Sequence, residues 1–79
     1  MLGNVIRKRI MLQPSQVKDF VTEATKCDFD VDIYYNRYVV DAKSILGVFG
    51  LDLTKTLTVE YSGNNQQFEQ YLNGLAIAG

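Results

Sequence analysis

Asn36-Arg37-Tyr38-Val39-Val40-Asp41-Ala42-Lys43-Ser44-Ile45-Leu46-Gly47-Val48-Phe49-Gly50-Leu51 is the stretch that decides how this chain folds. Asn36-Arg37 reads as a two-residue turn, weaker than Asn-Gly because arginine resists a positive φ. Tyr38 to Val40 leaves it as a short strand. Ser44 is a good N-cap, since its side-chain oxygen can accept a bond from a free N–H of the first helical turn. The helix it starts covers Ile45 to Phe49, and Gly50 suits its end.

Upstream of the turn, Asp30 to Tyr35 alternates, with Val31, Ile33 and Tyr35 on one face and Asp30, Asp32 and Tyr34 on the other. That is the signature of a half-buried strand. Further back, Val17, Phe20, Val21, Ala24 and Cys27 repeat at helical spacing and form one apolar stripe. Pro14 suits the first helical position, where no backbone N–H is needed. Gln13 is then the N-cap, with Ser15 as the competing cap. Asn4 to Ile10 reads as a first strand, its alternation broken by Arg7-Lys8-Arg9.

Downstream, Lys55 to Ser62 is the clearest strand, with Leu57, Val59 and Tyr61 pointing one way and Thr56, Thr58, Glu60 and Ser62 the other. Ser62-Gly63-Asn64 turns the chain. Asn64 and Gln67 have capping-box spacing at the start of a last helix, whose stripe is Phe68, Tyr71, Leu72, Leu75 and Ala76. Ile77-Ala78-Gly79 is expected to fray. The order is β-α-β-β-α-β-α over one domain, residues 1–79. The fold class is α+β: a four-stranded, mostly antiparallel sheet with three helices on one side and solvent on the other.

The bulk properties narrow the function. The 79 residues carry eight basic and nine acidic side chains, a net charge of -1. A nucleic-acid binder would show a basic excess, so no direct contact with nucleic acid is expected. The longest nearly apolar run, Ile45 to Leu51, is far too short to span a membrane. One cysteine cannot form an internal disulfide, and no signal segment is visible, so the cytoplasm is the expected compartment. There is no histidine.

The element order and the Lys43-Ser44-Ile45 segment resemble HPr, the small phosphocarrier of the bacterial sugar phosphotransferase system. The likeness covers nearly the whole chain and is best from Asp30 to Leu53. It implies an HPr-like open-faced β-sandwich. In that family the active histidine sits just before the first helix, in a Gly-hydrophobic-His-Ala-Arg-Pro run. Counting back through the first helix without a gap sets Met11-Leu12-Gln13-Pro14-Ser15-Gln16 on that run. Gln13 then falls on the histidine and Ser15 on the arginine. A glutamine amide has no nucleophilic nitrogen comparable to imidazole, so phosphohistidine chemistry is lost.

The family's regulatory serine matches Ser44. In Gram-positive bacteria an HPr kinase/phosphorylase modifies it, and the product binds a transcription factor of catabolite control. Some members keep the serine while carrying glutamine for histidine, and act only in regulation. This chain resembles that subgroup in Gln13 and Ser44, but lacks its arginine-proline pair, and its Leu53–Leu57 connection is shorter. A phosphate on Ser44 would add roughly -1.5 to -2 charges beside free helical N–H groups.

The resemblance thus implies a non-catalytic regulatory protein with Ser44 as its switch. It implies protein partners: an HPr kinase/phosphorylase-like enzyme, and a catabolite-control transcription factor or a sugar-metabolism enzyme. No cofactor and no metal are expected. Leu46 and Phe49 are the candidates for an exposed docking patch, and Ser15, Lys18 and Lys43 for anion contact. Two alternatives stay open. One is a constitutive interaction domain on the same scaffold, with Ser44 only a helix cap. The other is a phosphotransferase component using Ser15 or Cys27 as acceptor. For Cys27 the plainer reading is a small core residue. For Asp28, Asp30 and Asp32 it is a solvated strand face that discourages edge pairing.

Overall fold

A computed structural model describes residues 4–77. Four strands, β1 (Ile6–Ile10), β2 (Val31–Tyr35), β3 (Tyr38–Asp41) and β4 (Leu57–Tyr61), form one sheet in the order β1-β4-β2-β3. Every pairing in it is antiparallel. A 3₁₀ turn over Pro14–Gln16 leads into α1 (Val17–Thr25); α2 (Ile45–Phe49) and α3 (Gln66–Leu75) follow. The last strand lies between β1 and β2, so the first and second strands never touch, although they are sequential in the chain.

Strand alternation sorts the faces. Ile10, Val31, Ile33, Leu57, Val59 and Tyr61 are buried beneath the helices, while Arg7, Arg9, Asp32 and Asp41 are exposed. The helical stripes meet them with Val17, Phe20 and Ala24 from α1, Val48 from α2, and Phe68 and Leu72 from α3. Phe20 and Phe68 pack at 6.4 Å between ring centroids, and Tyr61 meets Phe68 edge-on at 5.4 Å. At roughly 25 cal/mol per Å² of apolar surface, these fully buried aromatics are among the largest single contributors to the core.

Several boundaries differ from the sequence expectation. The first strand starts at Ile6, leaving Val5 exposed, and the second at Val31. Lys55 and Thr56 fall outside β4, because Asp52 turns the chain there: its carboxylate accepts from the Thr54 backbone N–H at 3.0 Å. The cap of α3 is Asn65, one residue later than Asn64, and its side chain accepts from Phe68 N–H at 3.0 Å. Ala76 leaves the helix and bridges Ile10, and Ile77 N–H donates to Arg9 C=O at 3.2 Å. The expected fraying is therefore replaced by pairing as far as Ile77; Ala78 and Gly79 lie outside the described residues. The hairpin turn works because Asn36, not Arg37, takes the positive φ, at 56°. Tyr38 is 70% exposed at the start of the edge strand.

Gly63 answers to a close approach. A Cβ there would lie inside van der Waals contact of the Phe29 ring. That ring stacks on Tyr61 at 5.5 Å and 18°.

Candidate functional site

Two helix starts hold the candidate residues. At the first, Leu12 is buried and anchors the chain, while Gln13 is extended (φ -83°, ψ 153°) and exposed. Gln13 N–H donates to Gln16 Oε1 at 2.9 Å, and Gln16 N–H donates to Gln13 C=O at 2.8 Å. This local closure is why the chain turns helical at Pro14. Gln13 is thus the cap position; the competing Ser15 lies inside the 3₁₀ turn, exposed. Lys18 is exposed on the first turn of α1. Free N–H groups and the positive dipole end of a helix gather here.

The second start is Ser44. Its backbone is extended (φ -106°, ψ 109°), and its Oγ accepts from Gly47 N–H at 3.2 Å. Two neighbours set up this geometry. Asp41 C=O accepts from Ser44 N–H at 2.9 Å, and Asp41 Oδ1 accepts from Lys43 N–H at 2.9 Å. Gly47 suits the site because a Cβ would sit 3.2 Å from Ser44 Oγ and 3.3 Å from Val40 Cβ. Of the helix it opens, only Val48 is buried. Leu46 is 83% exposed and Phe49 49%, and Ile45 joins them at 40%.

The candidates fall into separate groups. Gln13, Ser15 and Lys18 share the first turns of the α1 segment; Ser44, Leu46 and Phe49 share α2. Lys43 is bonded elsewhere in this structure. Its ammonium donates to Cys27 C=O at 2.9 Å, past the C-terminal end of α1. Nine helical residues, about 14 Å at 1.5 Å per residue, separate that end from the Gln13 turn. This tie between α1 and the α2 loop left no trace in the sequence, since a lysine before a capping serine has many uses. Cys27 is buried, and burial pushes its thiol above the ordinary range, so the nucleophilic thiolate is disfavoured. No group of three or more metal-ligating side chains occurs among the described residues.

A family model described as "PTS HPr component phosphorylation site" matches residues 6–78. The chain belongs to the HPr family. No curated protein sequence matches it. Two solved structures share its fold. The phosphocarrier protein HPr from Bacillus anthracis str. Ames superposes with a TM-score of 0.72 at 23% identity, over 95% of this chain and 100% of that one. Crh, the Bacillus subtilis catabolite repression protein, superposes with a TM-score of 0.61 at 22% identity, over 99% and 98%. That protein was solved as a dimer with a swapped domain. The expected HPr-like architecture, a four-stranded open-faced sheet with three helices on one side, is thus the observed one. No helix among the described residues is long and apolar enough to cross a membrane.

Proposed function

We propose that this HPr-family chain is a cytoplasmic, non-catalytic regulatory protein of the sugar phosphotransferase system, switched by phosphorylation of Ser44. The observation that carries the reading is Ser44 itself. It is an exposed hydroxyl capping a helix, beside exposed Ile45, Leu46 and Phe49. A kinase needs such an accessible hydroxyl, and a protein reader needs charge next to apolar surface. The phosphate would bring roughly -1.5 to -2 charges to a chain of net charge -1. Arginines of a partner would then bind it through charge-assisted hydrogen bonds.

The other half of the reading is a deficit. Gln13 stands where the family places its phosphorylated histidine, and the sequence holds no histidine at all. Phosphoryl transfer through imidazole is closed to it. The partners that fit are an HPr kinase/phosphorylase-like enzyme and a transcription factor or sugar-metabolism enzyme of catabolite control.

Incubation with an HPr kinase and ATP, followed by tandem mass spectrometry, tests the switch. One acid-stable phosphate on Ser44 is expected, absent in Ser44→Ala. Failure of a cognate kinase to modify Ser44 refutes the switch. Partner binding unchanged in Ser44→Ala and Ser44→Asp would favour the constitutive interaction domain. A phosphoenolpyruvate-dependent, acid-labile phosphate passed onward to a sugar permease would overturn the non-catalytic reading.

A further inference from the structure

The two edges of the sheet are finished differently. Along β1, Ala76 bridges Ile10 and Ile77 N–H bonds to Arg9 C=O. Along β3, no described segment covers the edge. Backbone parity shows which of its groups are free. In a hairpin closed by a two-residue turn, Tyr35 and Tyr38 form a bonded pair, and bonded and non-bonded pairs alternate from there. Tyr38 and Val40 are therefore engaged with β2. Ala42 keeps the same parity, its N–H donating to Val31 C=O at 2.8 Å. Val39 and Asp41 turn their backbone groups outward. Val39 is 57% exposed and Tyr38 70%. An edge that presents unpaired donors, acceptors and apolar side chains is a template for another strand.

Charge selects the occupant. Strand registers set Arg7 opposite Glu60, Glu60 opposite Asp32, and Asp32 opposite Asp41. Three carboxylates thus run in one row across the open face. Arg7 Nε bonds Glu60 at 2.8 Å and closes the row at β1. Among the described residues no cation forms a salt bridge with Asp32 or Asp41, although like charges directly opposite destabilise a sheet. The exposed turn residue Arg37 lies two positions before Val39, and Asp41 two positions after it.

We propose that β3 pairs antiparallel with β3 of a second copy of this chain, Val39 meeting Val39 on the two-fold axis. Only this register sets Arg37 of each copy opposite Asp41 of the other. It also matches outward-facing backbone groups with outward-facing ones. A one-residue slip mismatches them, and a two-residue slip sets Val39 against Asp41 in one direction and against Arg37 in the other. The carboxylate row then continues into the second copy's Arg37, and two four-stranded sheets become one of eight strands. Each chain stays whole, in contrast to a dimer built by exchange of a segment.

Sedimentation velocity over a range of concentrations tests the pairing, with circular dichroism confirming that each variant folds. The wild type is expected to show a monomer–dimer equilibrium. Arg37→Asp and Asp41→Lys each set like charges together twice, raising the dissociation constant about tenfold or more. The double variant should dimerise again, and an equimolar mixture of the two single variants should form heterodimers. If Asp41→Lys fails to fold, Val39→Lys at an exposed position should abolish dimers by facing two ammonium groups on the axis. A wild type that is monomeric at every concentration overturns the proposal. So does a dimer that survives Arg37→Asp and Val39→Lys, as a swapped dimer would.

Discussion

Replacing Ser44 by alanine removes one acceptor and leaves one helical N–H without a protein partner. The bond from Gly47 N–H is 3.2 Å long, at the far end of the usual range, and the hydroxyl is exposed. Water can solvate the freed N–H. The loss therefore belongs near the middle of the range measured for caps, about 1 kcal/mol. In a domain of this size that lowers the melting temperature by about 4–8 °C. Ser44→Asp keeps an acceptor at the same place and adds a charge the helix start favours, so it should stay within about 0.5 kcal/mol of wild type. Thermal unfolding followed by circular dichroism reads both. The order wild type, aspartate, alanine is the expected outcome. If alanine melts with wild type, the hydroxyl does not hold the helix start. If aspartate melts with alanine, acceptor geometry is not what the position requires.

Other positions separate folding from recognition. Leu46→Ala should leave stability within about 0.5 kcal/mol, since the side chain is 83% exposed, yet weaken capture by the cognate kinase about tenfold in a titration. Equal binding by wild type and variant removes Leu46 from the proposed docking patch. Gly63→Ala drives a methyl group into the Phe29 ring and should cost about 1–3 kcal/mol in denaturant unfolding. In a Phe29→Ala background that cost should largely vanish, and simple additivity would refute the contact. The Asp52 carboxyl is held below its ordinary range, chiefly by the Thr54 hydroxyl, then by the Thr54 backbone N–H. A depressed folded value means its contribution is present above about pH 3.9, the unfolded value, and fades as pH falls through the folded one. Thr54→Val should raise the Asp52 midpoint in an NMR titration, and an unmoved midpoint would exclude the hydroxyl as cause.

Local chemistry was legible in the sequence where a residue's own options are few. Ser44 has little to do before Ile45 except cap, and Asn36 is the one residue of its turn that tolerates positive φ. The stripes of α1 and α3 followed from spacing. Choices among equals were not legible. Asn64 and Asn65 both cap well, and the second is selected because Phe68 must face Phe20 and Tyr61. The continuation of the α3 stripe to Ala76 hid the break after Leu75, whose C=O accepts from Met11 N–H at 3.2 Å instead of extending the helix. Alternation shows faces but not neighbours, so the free edge at β3 was invisible. At the candidate site, the Gln13 and Ser44 caps are chemistry readable from one chain. The equation of Gln13 with a lost phosphohistidine rests on the family pattern alone.

Lys43 joins the Ser44 helix start to the rest of the fold. Its ammonium is bound to a neutral carbonyl, Cys27 C=O, at 2.9 Å in a partly buried position. A phosphate on the adjacent Ser44 would offer the same ammonium a doubly charged partner, and charge-assisted bonds are roughly twice as strong as neutral ones. The lysine should therefore turn to the phosphate, releasing the Cys27 carbonyl and loosening the tie between α1 and the α2 loop. Phosphorylation would then change the surface at two places, the helix start and the far end of α1. The coupling is measurable. Lys43→Met should cost the unmodified protein about 1 kcal/mol, the worth of one hydrogen bond. In the Ser44-phosphorylated protein its cost should be larger, because the lost bond is an ionic one, and the amide signal of Cys27 should move on phosphorylation of wild type but not of Lys43→Met. Identical costs in the two states, with a Cys27 signal that moves equally in both proteins, would show that Lys43 never leaves the carbonyl and that the switch acts at Ser44 alone.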